Sequence, residues 1–395
     1  MSERRRMPNY FAYSPEQAEL LPRHVRDELA KEHLCFLIHE VVEGQDLRGF
    51  DEAYSEEGQR AYDPRMMLKV WLYGFAVNVR STRKLEQRIQ EDLGFRYLAG
   101  GLRPDHKTLS EFLRRHGEGM EELFTQVLSW ARQAGMARLG RVAIDSTRIQ
   151  ANASPDRLEK REREQVRRWR REMESEDPDQ EPGLAVDPQA AERLREQMSK
   201  PLAMASSEKR SVTDPDARFL RERGGRFRLG YSGELAVSED HFIVAARVTQ
   251  QAADTASLLP MVDEVERCCR ERPRQVLADS GFYSGANLDG LKTRGIDGYV
   301  ADTNLTAALK QGGEVKAGNR RVRHGETLRM REKLRSPSGR RTYLYRKAMV
   351  EPVIGSLKQH RGLRQFLRRG LRQVQTEWLL AAISYNLTRS HRLRR

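Results

Sequence analysis

The chain has 395 residues and a formal net charge of +14, with 71 Lys/Arg against 57 Asp/Glu. That length accommodates two or three domains, and the basic excess points to a polyanionic partner, nucleic acid ahead of an anionic membrane surface. No apolar run is long enough to span a bilayer, and three cysteines (Cys35, Cys268, Cys269) form neither a disulfide framework nor a zinc spacing.

The N-terminal stretch "MSERRRMPNYF" is basic but lacks the apolar core of a signal peptide. With the cysteine usage, this gives the expectation of a soluble cytosolic protein. "SPEQAELLPRHVRDELA" reads as a helix capped by Ser14. "HLCFLIHEVV" is a short apolar segment flanked by His33 and His39, whose spacing of six puts them on different helix faces and argues against a shared metal. From Tyr62 to Met136 the pattern is a chain of helices. Asp63 caps "PRMMLKVWLYGFAVN" with Pro64 at its first position, and Ser81 caps the next helix. Leu109, Phe112, Leu113, Phe124, Val127 and Leu128 recur at core spacing. Short basic helices joined by tight turns also resemble helix-turn-helix units.

The texture changes at Arg141. "RVAIDSTRI" is β-branched and apolar, "RFRLGYSGELAVSEDHFIVAARVTQ" reads as two strands turning near Ser238–His241, and "RQVLADSGF" and "DGYVADT" add two more. Helical stretches such as "DTASLLPMVDEVERCCRER" lie between them. Antiparallel strands followed by strands alternating with helices predict a mixed α/β sheet. Residues 155–210 interrupt it with a segment dense in both charges, read as a solvated helical hairpin or a disordered insertion.

Three carboxylates stand out. Asp145 in "VAIDST" and Asp279 in "VLADSG" each follow an apolar run, and Glu351 in "VEPVIGSLK" is read as opening a helix. Between Glu332 and Glu377 lie twelve Lys/Arg and, apart from Glu351, no carboxylate. Each acid alone has an ordinary explanation: a turn after a strand for the two Asp, a helix dipole for the Glu. Two strand-end acids with one on a helix, on a basic chain, fit a site for hard divalent cations. Two such ions activate the attacking oxygen and stabilise the leaving one in phosphoryl transfer. Val350, Val353, Ile354 and Leu357 form an apolar stripe, and Glu351, Gly355 and Lys358 share a neighbouring strip.

Several stretches carry a family likeness. They are "YDPRMMLKVWLYGFAVNVRSTRKLEQRIQEDLGFRYLAGGLRPDHKTLSEFLRRH", "AIDSTRIQANAS", "TDPDARF" with the strands after it, "LADSGFYS" and "VEPVIGSLKQHRGLRQFLRRGLRQVQTEWLLAAISYNL". Together they resemble bacterial insertion-sequence transposases of the DDE type, in the IS4/IS5 grouping and most similar to its IS1182-like branch. The resemblance implies an α/β, RNase H-like catalytic domain over residues 137–395, with a mixed five-stranded sheet flanked by helices. An all-α, DNA-binding domain over 1–136 precedes it. It implies Asp145, Asp279 and Glu351 as catalytic metal ligands holding two Mg²⁺ or Mn²⁺ ions. The reaction implied is hydrolysis at the element ends, then attack of the 3′-hydroxyls on target DNA. The implied partners are double-stranded DNA, as terminal inverted repeats and target, and a second copy of the chain on that DNA, with nucleoid association in the cell. The family's last motif, Tyr-x2-Arg-x3-Glu-x6-Lys, fits at Glu351 and Lys358. Its Arg slot falls on Lys347 and its Tyr slot on Leu344, so Tyr345 and Arg346 miss the register by one. Lys358, Arg346, Tyr345, Lys347 and Arg361 are the candidate DNA contacts. Three other readings remain open: a DNA-binding derivative without catalysis, a nuclease that cuts without joining, and a basic structural or RNA-binding protein.

Overall fold

The computed structural model describes residues 24–54, 60–153, 211, 213–221, 227–251, 253–305 and 325–395. The Ser14 cap, the charged insertion and most of the Gly- and base-rich stretch 312–326 lie outside these.

Seven helices come first: α1 Leu34–Glu43, α2 Arg48–Asp51, α3 Pro64–Ala76, α4 Thr82–Glu91, α5 Leu93–Ala99, α6 His106–Arg115 and α7 Gly119–Gln133. The α3 start is as expected: the Asp63 side chain accepts from the Arg65 amide at 2.7 Å, and Pro64 occupies the first turn, where its missing N–H costs nothing. Nearly every α3 side chain is buried, Trp71 and Phe75 among the largest, so α3 is the axis of the helical layer. The anticipated core residues on α6 and α7 are all buried.

His116, at the end of α6, lies buried against Phe50 and Phe112 with Nε2 2.9 Å from the Tyr54 hydroxyl. Burial, aided by the Arg115 charge, lowers its pKa to about 4. The folded state therefore favours neutral His116. The resulting stability is present above the ordinary value of 6.5 and is lost as the pH falls through about 4. We expect His116→Gln to flatten the fall in Tm between pH 7 and pH 4 by on the order of several degrees. An unchanged pH profile in differential scanning calorimetry contradicts this.

The sheet begins with β1 Arg141–Gln150, flanked by β3 Phe227–Ser238, antiparallel, and β5 Gln275–Ala278, parallel. β6 Asp297–Val300 continues parallel beyond β5, and β4 Ile243–Thr249 pairs with the far edge of β3. A short sixth strand, β2 Arg218–Arg221, was not anticipated. Gly230 of β3 partners both Gln150 and Arg218, so β2 lies on the same edge as β4, end to end with it. The strands thus run antiparallel first and parallel after, joined by α8 Leu258–Cys269 and α9 Gly285–Thr293. The β3–β4 turn falls where predicted, with His241 at φ 62°.

Two helices follow, α10 Gly325–Arg335 and α11 Pro337–Gly355; a π turn at Ser356–His360 continues α11. The Ser336 side chain caps α11 through the Gly339 amide at 3.0 Å. Glu351 therefore lies in the last turns of a 19-residue helix rather than at its start. Pro352 is interior to α11 and cannot donate to the Ala348 carbonyl; His241 Nε2 lies 3.0 Å from that oxygen and takes the missing donor's place.

The closing helix, α12 Leu371–Arg394, packs on β4, α3 and α7, joining the helical layer and the sheet into one core. Trp378 crosses β3 at Gly233, where a Cβ would come within 2.9 Å of the indole, and its Nε1 donates to the Glu234 carbonyl at 3.1 Å. α12 runs to Arg394, which pairs with Glu40 of α1. The three cysteines are buried free thiols, and burial raises each to about 12, leaving them unreactive. Among the described residues no helix is long and apolar enough to cross a membrane.

Candidate active site

Asp145 lies in the middle of β1 and Asp279 directly after β5. Because Ile144 and Ala278 are partners in the parallel ladder, the two acids are the next step along adjacent strands. Neighbouring strands lie about 4.8 Å apart, so the carboxylates share one neighbourhood. Asp145 Oδ1 accepts from the Ser146 amide at 2.9 Å and Oδ2 from Arg346 Nη1 at 2.8 Å. Asp279 Oδ1 accepts from the Gly281 amide at 2.8 Å, capping a 3₁₀ turn at Ser280–Phe282. Burial pushes the Asp145 carboxyl above the usual carboxylate range. The Arg346 guanidinium pulls it back, and the Asp279 charge raises it again.

Behind β1 lies a brace that sequence reading missed. Asp254 Oδ1 accepts from Ser146 Oγ at 2.9 Å and from Arg148 Nη2 at 3.1 Å. Arg148 also bonds Ser232 Oγ on β3. The other Asp254 oxygen and Asp279 Oδ1 both border the position a Gly281 Cβ would take, at 3.3 and 3.0 Å. A third carboxylate therefore stands near the pair and locks the residues that flank Asp145. Its signal in the sequence was an acid between a strand and a helix, in "QAADTAS", where it read as an ordinary helix start.

Glu351 is exposed on α11. The buried stripe of that helix is Tyr343, Arg346, Met349, Val350 and Val353, and Glu351 lies roughly 140° around from Arg346 at 3.6 residues per turn. Despite the surrounding bases, its carboxylate makes no hydrogen bond or ion pair with the described residues. Lys358, within the π turn, donates to the Arg148 carbonyl at 3.2 Å, so this end of α11 overlooks the strand that carries Asp145. Among the described residues no three His, Cys, Asp or Glu side chains are gathered closely enough to hold a metal ion. Asp145 and Asp279 are brought together, and Glu351 stands apart from them. In kind the donors suit a hard divalent cation: all are carboxylate oxygens, and Asp145 already holds a cationic group, the Arg346 guanidinium, at hydrogen-bond distance.

The candidate DNA contacts divide. Tyr345 and Lys347 are exposed, with the Arg141 guanidinium 5.7 Å from the Tyr345 ring centroid. Lys358 is turned onto β1 rather than outward. Arg346 and Arg361 are buried, the first on Asp145 and the second against Tyr385, so neither presents its guanidinium to solvent. Tertiary packing explains both: each falls on the side of its segment that the sheet or α12 covers.

Comparison with known proteins finds two family matches. A family described as "Transposase domain (DUF772)" matches residues 23–115, and one described as "Transposase DDE domain" matches residues 139–387. No curated protein matches. A solved structure titled "Crystal structure of a pre-cleavage Mos1 transpososome" aligns over 77% of this chain and 82% of that one, at 10% identity and a TM-score of 0.20. At that score it carries no weight beside the family matches.

Proposed function

The chain belongs to the DDE transposase family, with the RNase H-like catalytic fold that this membership implies, and on that premise we propose that it cuts DNA at the ends of a mobile element and joins the freed 3′-hydroxyls to target DNA. The observation that carries the reading is the pairing of Asp145 with Asp279 on adjacent strands, with an uncommitted acid, Glu351, on the helix that crosses them. Asp145 and Asp279 would hold Mg²⁺ or Mn²⁺, two ions in all, with Glu351 as the third protein ligand. When bound, such ions activate the attacking oxygen and stabilise the leaving one.

The chain's own residues do the rest. Arg346 neutralises Asp145 while the site waits, which keeps two adjacent carboxylates from repelling each other unopposed. Asp254 holds Ser146 and Arg148 in place and so fixes the strand on which Asp145 sits. Tyr345 and Lys347, exposed on α11, meet the DNA backbone. The helical layer over residues 1–136 contributes further DNA contact. Two copies of the chain bring two element ends together.

The test is strand cleavage of a duplex carrying the DNA that flanks the gene. Wild type nicks it with Mg²⁺ or Mn²⁺, and Glu351→Gln lowers the rate by at least about 100-fold, or about 2.7 kcal/mol in the barrier. Glu351→Gln cleaving at the wild-type rate removes Glu351 from the site and moves the third ligand elsewhere, with Asp254 the next acid to examine.

A further inference from the structure

A second feature of α11 is not used by this chemistry. Between its last turns and the distal half of α12 opens a cleft of about 460 Å³. His241, Ser356, His360, Tyr385, Arg389 and Arg392 line it, and no Asp or Glu does. Nothing lies within 4 Å of the position a Gly355 Cβ would take, so the floor is open.

Under Tyr385 lies Arg361, only 4% exposed. Its Nη1 donates to Ser356 Oγ at 2.9 Å, and its guanidinium lies 5.3 Å from the Tyr385 ring centroid. Its Nε is buried without a hydrogen-bond partner, and no carboxylate among the described residues pairs with it. Burial and the nearby Arg392 charge pull its pKa down to about 10. A buried cation without a counter-ion is costly and persists where something else repays it.

The neighbouring acids do not supply that counter-ion. Asp240 is held by Arg138 at 2.7 Å; Arg389 Nε donates to its backbone carbonyl at 3.3 Å and forms no ion pair with its carboxylate. Glu351, next to Pro352, pairs with none of these bases.

We propose that this cleft seats a backbone phosphate of bound DNA, with Arg389 and Arg392 gripping its oxygens and Arg361 supplying positive charge from beneath. The proposal rests on the transposase reading and deepens it. Pro352 and Gly355, which line the cleft, lie in the turn that follows Glu351, so DNA seated here is held by the same helix that bears the third acid. A diester is favoured over a free anion because the cleft is an open furrow, with Gln359, His360 and Arg392 exposed along it.

The experiment uses the full chain and a fluorescein-labelled 30-base-pair duplex of arbitrary sequence, titrated across a salt series. The double variant Arg389→Ala/Arg392→Ala is expected to bind at least about ten-fold more weakly, with a log–log salt slope smaller by about 0.9, the value for one lost phosphate contact. Arg272→Ala, which removes an exposed Arg paired with Glu266, controls for the loss of a surface Arg away from the cleft and leaves the slope at the wild-type value. Arg361→Met also weakens duplex binding, while its Tm without DNA equals or exceeds that of wild type, because an uncompensated charge is gone.

Unchanged duplex affinity and slope in the double variant overturn the proposal. So does a Tm rise with millimolar inorganic phosphate that needs Arg389 and Arg392 when duplex binding does not, which assigns the cleft to a free anion. A wild type that binds duplex but does not cleave defeats the catalytic reading and leaves the phosphate seat standing. A wild type that binds no duplex defeats both.

Discussion

Asp145→Asn and Asp279→Asn each lower metal-dependent cleavage of element-end DNA by at least about 10³-fold, a loss of about 4 kcal/mol in transition-state stabilisation. Both replacements keep shape and remove charge. The Asn carbonyl at 145 still accepts from the Ser146 amide, and at 279 from the Gly281 amide, so the local backbone holds. What disappears is the anionic oxygen that, on the proposed function, would draw a divalent cation to the junction of β1 and β5. Asp145 has the stronger case, since its surroundings raise the cost of its charge: it is largely buried, with another carboxylate beside it and one guanidinium against it. A carboxylate kept in that setting is better explained by function than by stability. The check is single-turnover cleavage in Mn²⁺, with thermal melting to confirm folding. Either variant cutting within ten-fold of wild type contradicts the assignment.

Glu377→Ala is expected to destabilise the whole chain by about 3–5 kcal/mol, the range for breaking a buried ion pair from one side. Glu377 is 2% exposed and is the hub of the segment between α11 and α12. It accepts from Arg80 Nη1 at 2.8 Å and from the amides of Leu367 and Arg368 at 2.9 and 3.0 Å. Arg80 also holds the Gly362 and Gln365 carbonyls. Alanine leaves the buried Arg80 guanidinium without its counter-ion and the Leu367 and Arg368 amides without this acceptor. Because Arg364 and Phe366 bond to Gln150 at the end of β1, the loss also loosens the chain that follows α11. Urea unfolding monitored by circular dichroism measures it. Glu377→Gln, which keeps the acceptor oxygen but not the charge, falls between alanine and wild type. A loss below about 1 kcal/mol for alanine contradicts this account of the hub.

Much of the fold was legible because local signals agreed with it. Asp63 and Pro64 started α3 where capping rules put them. The turn around Ser238–His241 divided β3 from β4, and the apolar runs before Asp145 and Asp279 were the two parallel strands that hold them. What escaped was set by contacts distant in sequence. β2 is four residues long and gains its place only from β3. α11 began 14 residues before Glu351 because Ser336 and Pro337 start it, while the eye fell on Glu351-Pro352, a pair that resembles a helix start. Pro352 is tolerated inside the helix through His241, which bonds the Ala348 carbonyl from 107 positions away in the chain. The same holds at the site. Asp145 and Asp279 could be paired from strand logic. The partners of Arg346 and Arg361 could not, since a base in a basic stretch looks solvated until packing shows which side of the helix is covered. Asp254 was hidden for the opposite reason: its local position suited an ordinary helix start so well that nothing marked it out.

The most direct measurement is cleavage by the purified wild-type chain of a duplex bearing the DNA that brackets its gene, with Mg²⁺ or Mn²⁺ against EDTA. The account predicts a nick at the element end that leaves a 3′-hydroxyl, dependent on the divalent ion and absent in Asp145→Asn and Asp279→Asn. Wild type that leaves the duplex intact in both metals, or a nick that survives EDTA and both substitutions, contradicts it.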